Sequence, residues 1–154
     1  MAFEGKKLPS IALWDGKGKP IKAADLKAPY VLYVYPEDDT PTCTIEACAF
    51  RDSYAELKKA GLTIYGISPD DAAKHAKFRA KFKLPFDLVT TDQKGLTTLG
   101  VWKQKTMFGN TYMGVSRETF LVGEDGKVLK HYGRIIGADK HADQVLADFQ
   151  SLTA

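Results

Sequence analysis

Residues Tyr30 to Arg51 read YVLYVYPEDDTPTCTIEACAFR, and the fold is decided by how this stretch changes character at Pro36. Tyr30 to Tyr35 is continuously apolar and rich in β-branched and aromatic residues, the composition of a strand covered on both faces. Pro36 ends the run. Thr40 or Asp39 then offers an N-cap and Pro41 suits the first helical position. With Thr40 as the cap, Cys43 is the third helical residue, with a free backbone N–H. The spacing predicts one helix of about five turns, ending at Gly61, with Cys48, Phe50, Tyr54 and Leu57 on a rough buried stripe.

Working outward, Leu62 to Ser68 reads as a second buried strand, followed by a helix over Ala72 to Phe82 opened by Pro69-Asp70-Asp71. Phe86 to Thr90 reads as a third strand, and Asp92 caps a short helix, Gly95 to Leu99. Val101 to Ser116 has no clear period; it reads as an extended strand and a loop, with a turn signal at Gly109-Asn110. Glu118 to Val122 and Lys127 to Tyr132 flank Glu124-Asp125-Gly126 as a hairpin. Asp139 opens a last helix with Val145, Leu146 and Phe149 on its apolar face. Upstream, Leu8 to Trp14 and the turn residues Asp15, Gly16 and Gly18 predict a small hairpin. The order βαβαβαββα predicts an α/β chain: a mixed central sheet flanked by helices, parallel where helical crossovers intervene.

The composition narrows the function. At 154 residues the chain is expected to be one domain, residues 1–154, large enough for a real core. A net charge of +3 without a basic block argues against nucleic acid. No apolar run reaches membrane-spanning length and the N-terminus lacks a secretory h-region, so the expectation is a cytoplasmic protein away from the membrane. In that compartment the two cysteines are more often catalytic or redox-sensing than structural. His75, His131 and His141 are scattered, have no metal-ligand spacing and read as surface residues. Trp14 is expected in the core; Trp102, Phe108 and Tyr112 are candidates to line an entrance.

A cysteine in the first turn of a helix meets unpaired N–H groups and the positive end of the dipole, which favour the nucleophilic thiolate. Thr40, three residues earlier, offers a hydroxyl to a thiolate or a bound oxygen. Pro36 shapes the approach. A cation is still wanted, and local sequence supplies only Arg51, two turns away. Cys43 and Cys48 are separated by five residues, which on an ideal helix puts their Cα atoms roughly 8 to 9 Å apart. A disulfide needs about 4.4 to 6.8 Å, so any bond between them requires the first turns to unwind. The residues alone leave three readings open: a thiol peroxidase, a non-catalytic redox sensor, and a thioredoxin-like thiol–disulfide oxidoreductase, the last weakened by the lack of C-x-x-C.

The segment PEDDTPTCTIEACAFRD resembles the active-site segment of the peroxiredoxins, in particular the PrxQ or bacterioferritin comigratory protein subfamily. Pro36, Thr40 and Cys43 match the pattern Pro-x-x-x-Thr/Ser-x-x-Cys, and Thr44, Glu46, Ala47 and Cys48 match the subfamily's T-x-E-A-C. GVWKQKTMFGNTYMGVSRETFLV, Gly100 to Val122, resembles the segment carrying the distant active-site arginine, here Arg117. The resemblance implies a thioredoxin-like fold and antioxidant reduction of hydrogen peroxide and organic hydroperoxides. It implies Cys43 as the peroxidatic residue and Cys48 as the resolving one, joined in an intramolecular disulfide that thioredoxin or a similar dithiol protein reduces. It implies Arg117 as the missing cation, oriented by Glu46, no metal, haem or flavin cofactor, and a monomer more often than a dimer. Two positions depart from the common pattern: Thr42 stands where many relatives have Gly, and Glu37 where many have Lys.

Overall fold

The computed structural model describes residues 3–154. Its first two strands, β1 (Leu13–Trp14) and β2 (Pro20–Ile21), form the expected small antiparallel hairpin. A single 3₁₀ turn, Ala23–Asp25, leads to β3 (Tyr30–Val34). Then follow α1 (Pro41–Asp52), α2 (Tyr54–Lys59), β4 (Thr63–Ser68), α3 (Ala72–Phe82), β5 (Asp87–Thr90) and α4 (Gln93–Thr98). The chain finishes with β6 (Trp102–Met107), β7 (Asn110–Val115), β8 (Glu118–Val122), β9 (Val128–Tyr132) and α5 (His141–Leu152).

Seven strands make one sheet in the order β2-β1-β5-β4-β3-β8-β9. β3, β4 and β5 run parallel, and β8, β9, β1 and β2 join antiparallel, so the sheet is mixed as expected. β3 is central and every one of its residues is buried. Alternation across it separates two cores. Val31 and Tyr33, with Tyr35 just beyond the strand, pack with Phe50, Leu57, Phe78 and Phe149 from the helices. Tyr30, Leu32 and Val34 pack with Leu96, Leu99, Val101 and Phe120 on the opposite face. Helical crossovers between successive parallel strands put α1 and α3 on the same face.

Four expectations are corrected. The long helix after β3 is broken: α1 ends at Asp52 and α2 begins at Tyr54, with Ser53 at φ −97°, ψ 5°. The Ser53 hydroxyl donates to Asp143 of α5 at 2.8 Å, a tertiary bond that favours the break. The buried stripe of α1 is Cys43, Glu46, Ala47 and Phe50, an i, i+3, i+4, i+7 set; Cys48 is only half-buried. Val101 to Ser116 contains a hairpin of its own, β6 against β7, whose turn is Phe108-Gly109, one residue earlier than expected. Both turn residues have positive φ, 51° and 79°, as a tight twisted hairpin turn requires. The three histidines are not surface residues. His75 and His141 are 0% and 1% exposed, and the His131 ring stacks on Phe120 at 4.4 Å. His75 and His141 are buried and His131 half-buried, and in each one polar partner meets one ring nitrogen: Asp38 for His75, Thr119 for His141 and Glu118 for His131.

Trp14 and Trp102 are both half-buried, and Trp102 packs on the second core. The Phe108 side chain, at the tip of its hairpin, is 97% exposed. Among the described residues, no helix is long and apolar enough to cross a membrane.

Candidate active site

The site forms where β3 hands the chain to α1. Thr40 is the N-cap and Pro41 the first residue of α1, which fixes Cys43 in the first turn with its side chain turned into the core, 1% exposed. The helix start is ordinary by its sequence; the cation beside it is not local. β8 runs antiparallel to β3 with Glu118 opposite Val34, so the residue before Glu118 emerges next to the end of β3. That residue is Arg117. Its Nη2 donates to the Cys43 sulfur at 3.1 Å and its Nη1 to Glu46 Oε1 at 2.7 Å.

The guanidinium thus bridges a sulfur and a carboxylate three residues apart on one face of α1. Glu46 is fully buried and its second oxygen has no partner among the described residues. Burial pushes the Glu46 carboxyl up to about 7, with Arg117 pulling it back. Burial works to lower Arg117, but Glu46 and Cys43 outweigh it and hold the guanidinium more firmly protonated. A protonated fork in contact with sulfur is placed to stabilise negative charge that moves there during a reaction.

Cys43, Glu46 and Arg117 are therefore in contact, with Thr40 at the N-cap of the helix that carries Cys43 and Pro36 four residues before Thr40 in the chain. Thr40 differs in detail from its expected use. Its hydroxyl donates to the Glu37 carbonyl at 2.8 Å and makes no cap bond to the helix. With its proton committed there, the oxygen is left as an acceptor, suited to an incoming O–H rather than to a thiolate. Cys48 lies further along the same continuous helix, and both cysteines are free. Arg51 is not part of the site: it donates to the Phe82 carbonyl at 2.9 Å and pairs with Asp52.

Two neighbours were not anticipated from sequence. Lys105 of β6 interacts electrostatically with both Arg117 and Cys43, and burial and Arg117 lower its pKa while Cys43 opposes them. The unperiodic segment around it gave no signal for this. Tyr33 is fully buried, its hydroxyl has no hydrogen-bond partner among the described residues, and burial, with Glu46, Asp38 and Cys43 adding, keeps it protonated. Glu37, the acidic departure at the motif, is paired with Lys74 of α3 at 2.7 Å, so a cation is returned to this position from another element.

Asp38, Asp70 and His75 bring donor atoms within 4.8 Å of one another, a metal-like grouping. Their carboxylate oxygens are already engaged by Tyr35, His75, Ser68, Lys74 and the Asp38 N–H, so the grouping is an internal hydrogen-bond network. Clefts of about 490 and 620 Å³ lie elsewhere, the first against Ala60 and Phe149, the second against Lys7 and Leu26; neither is lined by a residue of the cysteine site. The chemistry, not the size of the concavity, locates the site.

Residues 4–131 match the AhpC/TSA family. The chain belongs to the peroxiredoxins. Peroxiredoxin Bcp of Bacillus subtilis is 41% identical over 150 residues, covering 96% of this chain and 93% of that protein. The bacterioferritin comigratory protein of Xanthomonas campestris, described for its alkyl peroxide reduction activity, is 32% identical with a TM-score of 0.82, covering 94% of this chain and 92% of that one. Peroxidoxin BcpB of Mycobacterium tuberculosis superposes equally well, at 32% identity, TM-score 0.82 and 96% coverage of each chain. The protein is a thiol peroxidase of the Bcp/PrxQ kind with a thioredoxin-like fold, acting on a hydroperoxide and a thiol reductant.

Proposed function

We propose that Cys43 is the peroxidatic residue and Cys48 the resolving residue of a peroxiredoxin acting as one catalytic domain and as a monomer in the cytoplasm. The observation that carries the reading is the 3.1 Å contact from Arg117 to the Cys43 sulfur, with the other arm of the guanidinium on Glu46. The Cys43 thiolate attacks one oxygen of the hydroperoxide, and the O–O bond breaks. Sulfur takes that oxygen as sulfenic acid, and the second oxygen leaves with its electron pair and gains a proton, giving an alcohol or water. Arg117 stabilises the charge that moves from sulfur to the leaving oxygen, and the Thr40 oxygen accepts from the hydroperoxide O–H.

The Cys48 thiol then attacks the sulfenic sulfur. A disulfide forms and water leaves. Five residues of regular helix hold the two sulfurs' backbones too far apart for that bond, so the first turns of α1 unwind for this step. A dithiol protein of the thioredoxin class returns both cysteines to thiols and is itself oxidised. Substrates include hydrogen peroxide and, by the likeness to the Xanthomonas campestris protein, alkyl hydroperoxides.

Stopped-flow mixing of the reduced protein with hydrogen peroxide tests this reading. Cys43 is expected to react orders of magnitude faster than free cysteine, and a rate equal to that of free cysteine would remove it.

A further inference from the structure

Three consecutive acidic residues in the loop before α1 each hold a different side chain of α3. Glu37 pairs with Lys74 at 2.7 Å, Asp38 with His75 at 2.6 Å and Asp39 with Lys81 at 2.8 Å. The outer two pairs are solvent-exposed, and such pairs contribute little to holding a backbone in place. The middle pair is different: the side chains of Asp38 and His75 are each 1% exposed.

Each oxygen of Asp38 has its own partner. Oδ1 accepts from the Tyr35 hydroxyl and Oδ2 faces His75 Nδ1. The Asp38 N–H donates to Asp70 Oδ2 at 2.7 Å, and that oxygen also accepts from the Ser68 hydroxyl at 2.8 Å. One residue of the loop is thus tied at its backbone to the end of β4 and at its side chain to β3 and α3. Removing a partner from such a group leaves a buried carboxylate unpaired, which is far costlier than losing a surface pair.

The tie reaches the reacting end of the loop. Asp39 turns the chain with φ 60°, and the Thr40 hydroxyl returns to the Glu37 carbonyl, next to Asp38 in the chain. The orientation of Thr40 therefore depends on where the Asp38 backbone is seated. Resting on the peroxidase reading above, we propose that His75 is a positioning residue for the peroxide reaction: it locks Asp38 to α3, so that the loop presents Thr40 beside Cys43 and stays seated while α1 opens to form the disulfide. The network divides the junction into a fixed part, Pro36 to Thr40, and a part that yields, from Cys43 to Cys48.

The test uses the full chain with His75→Leu and His75→Asn. His75→Leu is expected to lower the rate of Cys43 with hydrogen peroxide by about tenfold or more, since small misplacements of a contact group have effects of that size. Its rate of alkylation by iodoacetamide, a reaction that has no peroxide O–H for Thr40 to accept, stays as in the wild type. His75→Asn, whose amide can donate to Asp38 as Nδ1 does, is expected to regain most of the rate. A His75→Leu protein that unfolds more easily yet reacts at the wild-type rate overturns the proposal, as does a loss that Asn fails to restore. Should His75→Leu not fold, hydrogen exchange on the wild type decides. The Asp38 amide is expected to be equally protected in the reduced and disulfide forms while amides of Cys43 to Cys48 exchange faster after oxidation; loss of Asp38 protection on oxidation overturns the proposal. Wild-type reactivity no greater than that of free cysteine is the separate result that removes the peroxidase reading itself.

Discussion

Arg117 lies 3.1 Å from the sulfur of Cys43 across 74 residues of chain, and the sheet is what joins them. β3 and β8 are hydrogen-bonded neighbours, so the residue entering β8 and the residue opening the helix after β3 meet at one edge of the core. Arg117→Met is therefore expected to slow the reaction with hydrogen peroxide by about 10²-fold or more. Arg117→Lys keeps the charge but not the fork, and recovers only part of the loss.

The same substitution takes the ion-pair partner from Glu46, which has no exposed surface and one oxygen already without a partner among the described residues. Breaking a buried pair by removing one member costs about 3 to 5 kcal/mol. Because the Glu46 carboxyl, already raised to about 7, can take up a proton when its partner is lost, Arg117→Met should be destabilised by up to that much in urea titration, the loss growing as pH rises, and adding Glu46→Gln should restore much of the stability without restoring the rate. A double variant with recovered peroxidase activity would show that Glu46, not Arg117, governs the sulfur.

Cys48→Ser separates the two half-reactions. The reduced variant is expected to consume one equivalent of peroxide and stop, with a mass increase of one oxygen and no steady turnover with thioredoxin. Cys43→Ser is expected to lose both activities. Continued turnover in Cys48→Ser would assign resolution to another thiol source.

How much of this was legible depends on the range of the forces involved. The junction was readable because its signals are local: an apolar run, a proline at the first helical position, a threonine before it. The Ala72 to Phe82 helix was readable for the same reason, since Asp71 caps it by accepting from the Lys74 N–H. Ser53 gave no warning of a helix break, because its partner Asp143 is ninety residues away. His75 and His141 read as surface groups because burial of an imidazole is decided by one distant polar partner, Asp38 or Thr119. Phe108 concealed a two-residue turn because a bulky residue at positive φ is uncommon. Arg117 was identified by resemblance; spacing alone did not connect it to Cys43.

Gly66 has a packing reason that its sequence context did not announce. It sits opposite Tyr33 on β4, and a Cβ there would lie 2.7 Å from Leu88 Cδ2 and 2.8 Å from the Tyr33 ring. Tyr33 in turn stacks on Phe50 of α1 at 4.7 Å. Gly66→Ala is expected to destabilise by about 1 to 3 kcal/mol through overpacking, and to disturb α1 through the Tyr33–Phe50 stack. Urea unfolding measures the first effect, and a slower peroxide reaction in the folded variant measures the second. A variant of wild-type stability would mean that the neighbouring rings yield freely.

Two buried groups make stability depend on pH with opposite signs. His141, held against Thr119 and the edges of Phe50 and Tyr132, is pushed down from 6.5 to about 4 by burial, with Asp148 partly opposing. The unfolded chain then takes up this proton first, so the contribution is complete above pH 6.5 and is lost as pH falls toward 4. At about 1.4 kcal/mol per pH unit the loss is about 3 kcal/mol. Glu46 is pushed up from 4.5 to about 7, so the folded chain keeps a proton the unfolded chain releases. Its contribution is present below pH 4.5 and is lost as pH rises toward 7. Between pH 4.5 and 6.5 the two slopes oppose each other. Relative to the wild type, His141→Phe should therefore lose stability more steeply as pH rises through this window, and Glu46→Gln more steeply as pH falls. Unfolding free energies from urea titrations at a series of pH values read both slopes directly. Variants that run parallel to the wild type across the window would show that neither group carries the shift assigned to it.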